Sequence, residues 1–290
     1  MAPLRRGLTA PQTCWDSAAM LDATDDRGTI AVRIVACEDR LAAAAAEVFD
    51  DPAGRVYRQP AYPSVFDANL ARNPRLTAAD LDDQLLRLAA PLRAIGANHL
   101  QLTFDAAPPP PTVAAALRAR DFHRDRLLAM VLPGRPARRP RLDLSVEAVN
   151  VNTALADYAT ILDSLSREEP WYTPAVAAQI VGSLASKAMT PASQLFVARW
   201  DGLAVAAAGL AFAGAADPGV AAIHTVGTIE GMRRRGVAQT LVVTLAAEAR
   251  ARGCDLVYLI ARADDTPKDM YRKLGFETGF GFDVFLKHPF

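Results

Sequence analysis

The run Gly231-Met232-Arg233-Arg234-Arg235-Gly236-Val237-Ala238 constrains this chain more than any other. An alternating, strand-like stretch over 221–228 leads into it, and a helix-like stretch over 239–252 leads out. A strand that turns through a glycine-containing loop into a helix leaves backbone N–H groups unpaired at the positive end of the helix dipole. Such a helix start holds anions. Arginines beside the turn add full charges and donors suited to phosphate. The run predicts a cradle for the pyrophosphate of a nucleotide-derived cofactor.

Two common cradles do not fit. Gly231 and Gly236 have the Gly-x4-Gly spacing of a P-loop, but Val237 and Ala238 stand where Lys and Ser/Thr must hold phosphate and magnesium. A dinucleotide fingerprint needs a Gly-x-Gly pair, which the run lacks.

The rest of the chain limits the setting. With 290 residues, two domains are expected. Half the residues are hydrophobic and about a fifth charged, as in a soluble globular protein. The 32 basic and 32 acidic residues cancel, so no overall charge favours nucleic acid or a membrane surface. Only Lys187, Lys268, Lys273 and Lys287 are lysines; the other basic residues are arginines, and alanine is abundant, a coding bias that suggests a bacterial source. Cys14, Cys37 and Cys254 form no CxxC pair, and His99, His123, His224 and His288 show no HxxxH spacing. Neither a disulfide framework nor a metal centre is expected. No stretch reaches the roughly 18–20 apolar residues of a membrane span, and no apolar run follows Arg5 and Arg6 as in a secretory signal. A cytoplasmic location is expected.

Taken in order, residues 1–28 are expected to form a loosely held leader. A strand is predicted over 29–36, a helix over 38–49 and a turn-rich segment over 50–75, where Tyr57, Tyr62 and Phe66 interleave with prolines. Leu81, Leu85, Leu88 and Leu92 predict a helix over 80–95, with its N-cap region at Thr77 and Asp80. A strand over 99–104, a helix over 112–120 and a strand over 126–132 follow. The Pro/Arg-rich segment 134–141 reads as an extended linker, although its arginines also suit RNA or an acidic partner. It divides the chain into domains 29–133 and 142–290. The second half restarts with a strand over 144–149, a helix over 154–165 and a helix capped by Thr173 with Pro174 in its first turn. A hairpin turning at Asp201-Gly202 precedes the arginine run. A helix end at Gly253, an unbroken apolar strand over 255–261, a helix over 266–274 and a strand over 280–286 complete it.

Arg233-x-x-Gly236-x-Ala238 resembles the Gln/Arg-x-x-Gly-x-Gly/Ala signature of the GNAT acetyltransferases. Val226-Gly227-Thr228 ends the preceding strand at the matching distance. Asp264, followed by Tyr271-Arg272-Lys273-Leu274-Gly275-Phe276, resembles the family's Asn-x6-Tyr-x-Lys-x-Gly-Phe segment. The resemblance covers residues 144–290; Asp264 departs from the usual Asn, and Pro267 stands where Ala is common. The strand–helix–strand over 99–132 echoes 255–286 without the arginine run, and so resembles a degenerate copy; an unrelated α/β cap is the alternative.

The resemblance implies an α/β (α+β) fold, with a mixed central sheet flanked by helices and two such domains in tandem. It implies acetyl-CoA as co-substrate, no metal, and a small-molecule or peptide amine as acceptor in a ternary complex. Cofactor contacts then fall to Val226, Gly227, Thr228, Arg233, Arg234, Arg235, Gly236, Val237, Ala238, Gln239, Asp264 and Tyr271. The N–H of Val226 would polarise the thioester carbonyl, and Tyr271 would protonate the leaving thiolate; a core tyrosine is the plainer reading. An alkylamine is only about one part in a thousand neutral at pH 7, so a base helps. His224 stands where arylalkylamine acetyltransferases carry a histidine. Period-2 alternation puts it on one face with Val226 and Thr228, yet a histidine merely hydrogen-bonded under the sheet fits equally. Glu230 is the second candidate. Glu168, Glu169, Trp171 and Tyr172, with Phe282 beside Phe280 and Phe285, would line the acceptor side; a solvated loop and plain core are the alternatives. A non-catalytic acyl-CoA sensor and a tRNA-dependent Fem-type aminoacyl transferase are the rival functions.

Overall fold

The computed structural model describes residues 27–137, 143–152, 155–166 and 172–290. The strands are β1 (Glu47–Asp51), β2 (Gly54–Arg58), β3 (Leu70–Arg72), β4 (Leu100–Phe104), β5 (His123–Leu132), β6 (Leu144–Ala148), β7 (Ser193–Trp200), β8 (Leu203–Phe212), β9 (Val220–Thr228), β10 (Leu256–Arg262) and β11 (Glu277–Lys287). They form one mixed sheet in the order β1-β2-β3-β4-β11-β5-β10-β9-β8-β7-β6. Only β3–β4 and β9–β10 pair in parallel. The helices are α1 (Arg27–Ala43), α2 (Leu81–Arg93), α3 (Pro111–Arg118), α4 (Leu155–Ser166), α5 (Pro174–Ala188), α6 (Val237–Ala251) and α7 (Pro267–Lys273).

The run α1-β1-β2-β3-α2-β4-α3-β5 matches α5-β7-β8-β9-α6-β10-α7-β11, element for element. In each, a helix links the two strands of the parallel pair, as such a crossover requires. The closing strands are exchanged between the halves. β5 lies between β10 and β11, and β11 pairs with β4 on its other edge. The strands before and after segment 134–141 thus share one sheet. Residues 138–141 of that segment lie outside the described residues, as do residues 1–26 of the leader expected over 1–28, whose last two residues begin α1.

The faces of β9 sort the core. Ala221 and Ile223 pack with Val237, Leu241 and Leu245 of α6, whereas Val220 and Ala222 pack with Ile34 and Cys37 of α1. This is the period-2 division of a strand buried on both sides. The expected hairpin turns at Asp201 (φ 49°) and Gly202 (φ 79°), both left-handed as a two-residue turn requires. At α5, Thr173 Oγ1 accepts from the N–H of Val176 at 3.3 Å. α6 closes at Gly253, φ 88°.

Two sequence expectations fail in the first half. The strand expected over 29–36 is helix α1. Ile30, Ile34, Cys37 and Leu41 turn toward the core at helical spacing, while Val32, which alternation would bury, is 70% exposed. The helix expected over 38–49 ends at Ala43, and Ala45 adopts φ 60° ahead of β1. The turn-rich segment also contains β2 and β3. These are short strands next to the edge strand β1, and the pairs Arg55–Asp50 and Arg58–Glu47, each 2.7 Å, tie β2 to β1.

Candidate active site

β9 and β10 run side by side from Val220↔Leu256 to Ile223↔Leu259, and there their ladder stops. β9 continues for five residues to Thr228 and β10 for three to Arg262, so a wedge opens between two parallel strands. The cause lies in β9. Opposite β8, Ala207 pairs with Gly227 and Gly209 with His224, so Thr225 and Val226 together face Ala208. Thr225 takes φ 51°. This is a β-bulge, which bends its strand and frees backbone groups from the ladder.

Beyond the wedge the chain makes a short 3-10 turn, Glu230–Met232, and enters α6 through Arg234 (φ 59°) and Gly236 (φ 85°). Gly236 is the N-cap and offers no capping side chain, and the first turn of α6 contains no acidic residue. The helix start therefore keeps its positive end open. Arg234 and Arg235 are exposed beside it, whereas the Arg233 Nε donates to the Thr228 carbonyl at 3.1 Å and ties the loop to the strand end. Thr228 Oγ1 is buried without a hydrogen-bond partner. A buried hydroxyl left unpaired is costly unless something else bonds to it. Gly227 faces Leu165 of α4, which a Cβ there would strike.

The bulge corrects one expectation about His224. Counting by twos puts His224, Val226 and Thr228 on one face, but the extra residue resets the alternation. Val226 packs against the α6-side core. The His224 ring lies on the other face, over Gly209, where a Cβ would collide with it. Its Nε2 pairs with Ser193 Oγ at 3.2 Å and its Nδ1 with Thr225 Oγ1 at 3.1 Å. Burial, and then the charge of Lys187, push its pKa down to about 3. His224 is thus a neutral, hydrogen-bonded imidazole with little basicity of its own.

Tyr271, on α7, is buried in the same cluster as Val237 and Leu241, and its ring meets Phe276 edge-on at 6.1 Å. Burial, then the nearby Asp265 charge, push its pKa up to about 12. Asp264 is exposed at the end of the wedge, with Arg262 Nε 3.4 Å away. Glu230 is exposed as well.

The expected acceptor residues divide. Glu168, Glu169 and Trp171 lie outside the described residues. Tyr172 is partly buried near Tyr158, whose sealed hydroxyl has no partner. Phe282 belongs to the core beneath α1, with Ile34 and Tyr258, and Phe285 is buried with Phe104 of β4. The Tyr62 hydroxyl meets Ser186 of α5 at 3.1 Å. Lys187 of α5, which no motif marks, is 7% exposed. Its signal was position, three residues after Leu184 on a helix face that is otherwise covered.

The corresponding wedge of the first half is closed. The β3–β4 ladder runs to Arg72↔Thr103, and the Asn73 N–H donates to Thr103 O at 2.7 Å. The buried Arg72 pairs with Asp39 (2.7 Å) and Asp105. Asn73 Nδ2 donates to Asp105 Oδ1 at 2.7 Å, and Asn73 Oδ1 accepts from the N–H groups of Asp105 and Ala106. α2 begins with Asp80, Asp82 and Asp83, which repel an anion where α6 attracts one.

A bulged strand, a wedge between parallel strands and an open helix start meet at one end of the second half. Residues 158–276 match the model of the acetyltransferase (GNAT) family, so the second half contains a GNAT domain. No curated protein sequence matches it. Among solved structures, a functionally unknown conserved protein from Staphylococcus epidermidis ATCC 12228 superposes with TM-score 0.67 at 18% identity, covering 85% of this chain and 96% of that one. A GCN5-related N-acetyltransferase from Kribbella flavida gives 0.59 at 19%, covering 91% and 96%. A tandem GNAT protein from the clavulanic acid biosynthesis pathway gives 0.50 at 16%, covering 81% and 78%. At these identities the likeness is one of fold.

Proposed function

We propose that this protein transfers an acetyl group from acetyl-CoA to a primary amine in a ternary complex, at the wedge of the second half. One observation carries the reading: a helix start with no cap and no acid of its own faces the end of a parallel ladder that stops four pairs in. The residues suit such a co-substrate. The amides from Arg234 to Gln239 hold the pyrophosphate, aided by the exposed Arg234 and Arg235. The unpaired Thr228 hydroxyl offers a further polar group at the strand end. The Val226 N–H, released from the ladder by the bulge, donates to the thioester carbonyl as negative charge develops there. Tyr271 stays protonated across the working pH range and gives its proton to the leaving thiolate. The first half is a degenerate copy whose own wedge is plugged by Arg72, Asn73 and Asp105, so one chain binds one acetyl-CoA.

Calorimetric titration with acetyl-CoA, followed by thiol release over a panel of amines, tests this. Binding at one site per chain and amine-dependent release are expected. Binding without release from any amine supports an acyl-CoA sensor instead; no binding defeats both readings.

A further inference from the structure

The face of β8 and β9 beneath α4 is built from very small residues beside the wedge. Ala207 stands opposite Gly227, and Gly209 follows on the same face of β8. Two bulky groups fill the space these leave. The His224 ring covers Gly209, and Leu165 Cδ1 occupies the volume that a Cβ on Gly227 would take. Leu165 comes from the last turn of α4, whose Tyr158, Ile161 and Leu162 are sealed in the same core as Ala207. Leu165 itself is only partly buried, so some of its surface stays open beside Gly227.

Gly227 lies beyond the last rung of the β9–β10 ladder, on the stretch of β9 that borders the wedge. The residue before it is Val226, the donor to the thioester carbonyl in the reading above. The two faces of this stretch differ. Val226 turns its side chain to the α6-side core, which also holds Val237 at the start of α6. A cofactor whose pyrophosphate rests on that helix start enters the wedge from the α6 side. Its acyl end then points across the wedge to the face of Gly227, where Leu165 stands. Neither Gly227 nor Ala207 has side-chain atoms to take the place of Leu165. A single apolar wall of this kind distinguishes chains that differ by one methylene.

We propose that Leu165 sets the length of the acyl group, admitting acetyl and rejecting longer straight-chain acyl groups. This rests on the acyl-transfer reading above. With acetyl bound, the acyl methyl ends at the Leu165 side chain. Each further methylene must displace Leu165 from Gly227. The side chain has little freedom to yield, because Ile161 and Leu162, one turn earlier on α4, are fixed in the core against which it packs.

The test uses acetyl-, propionyl-, butyryl- and pentanoyl-CoA with wild type, Leu165→Val and Leu165→Ala. Dissociation constants are measured by calorimetry without acceptor, and kcat/KM with the amine that releases most thiol. In wild type, kcat/KM should fall by about 10-fold or more per added methylene. Leu165→Ala removes as many carbons as separate pentanoyl from acetyl, so its pentanoyl-to-acetyl ratio should rise at least about 100-fold. Leu165→Val, one carbon shorter, should admit propionyl and stay closed to pentanoyl, which keeps the test open if the alanine variant does not fold. Free CoA, which has no acyl group, should bind all three proteins alike. A wild type that takes pentanoyl-CoA as readily as acetyl-CoA overturns the proposal before any variant is made. So does a ratio unchanged in Leu165→Ala and Leu165→Val, or a loss equal for every thioester. If no thioester binds or reacts, the acyl-transfer reading fails and the length limit with it. Turnover with a flat length profile bears on Leu165 alone.

Discussion

Gly209→Ala isolates the contact that seats His224. Gly209 has no positive φ, so the backbone accepts alanine, and by itself the change would stabilise a strand by about 0.4–1 kcal/mol through the unfolded chain. The obstacle is the imidazole. An added methyl would overlap its Cε1, Nε2 and Nδ1, and the ring can leave only by giving up Ser193 and Thr225. Overpacking of this kind costs about 1–3 kcal/mol, and each lost hydrogen bond adds about 1. The net expectation is a loss of about 2–4 kcal/mol. His224→Ala removes the obstacle, so Gly209→Ala in that background should be neutral or slightly stabilising. A coupling of about 3 kcal/mol is then expected in the cycle, because the two residues touch. Urea unfolding of the four proteins measures it. An equal cost of Gly209→Ala in both backgrounds refutes the packing argument, and with it the claim that the bulge turns His224 away from Val226.

Three further outcomes follow from the site. Tyr271→Phe should lower kcat by at least about 100-fold, leaving the acetyl-CoA dissociation constant within a few-fold, as expected for a general acid; equal losses in both would indicate a packing role. Gly236→Ala, at φ 85°, should cost about 1 kcal/mol and weaken acetyl-CoA binding by distorting the start of α6, with both read by calorimetry. Acid should destabilise the fold through His224 and His99, whose pKa values are depressed to about 3 and about 4, mainly by burial. The unfolded chain takes up their protons first, near pH 6.5, so stability falls from there toward pH 3–4 by about 1.4 kcal/mol per unit and per histidine. His99→Asn should flatten that slope in equilibrium unfolding at successive pH values.

The shape of the loop into α6 is legible in the sequence because its requirements are local. A loop of fixed length, a glycine at a left-handed cap and an open first turn all reside in consecutive residues, and 233–239 occupies that place. The face of His224 was not legible, because one inserted residue at Thr225 reverses it and no property of Thr225 announces a bulge. α1 was misread for a related reason. Over 29–36 the apolar residues satisfy periods of 2 and 3.6 alike, and only the later Cys37 and Leu41, with the packing beneath them, decide for the helix. Lys187 remained hidden because its neighbours Glu38, Asp67, Arg72 and His224 are distant in sequence and meet only at the junction of the halves.

That junction explains what the first half contributes to the second. β5 is hydrogen-bonded on both edges, to β10 along Val257↔Leu132 to Arg262↔Leu127 and to β11 along Glu277↔Val131 to Leu286↔His123. Met130 and Leu132 of β5 are fully buried in the cluster that holds α6 and Tyr271. A chain cut near residue 140 would leave β10 with a bare edge opposite the wedge and would strip two core residues from the cluster that holds Tyr271. Unpaired central strands do not persist in water. The Arg72–Asp105 plug is tolerable for the same reason: once the first half is retained for its strand, its own wedge need only be filled. The closed wedge of the first half and the exchange of the closing strands are thus parts of one arrangement, in which the first half supplies the strand that supports the open wedge of the second.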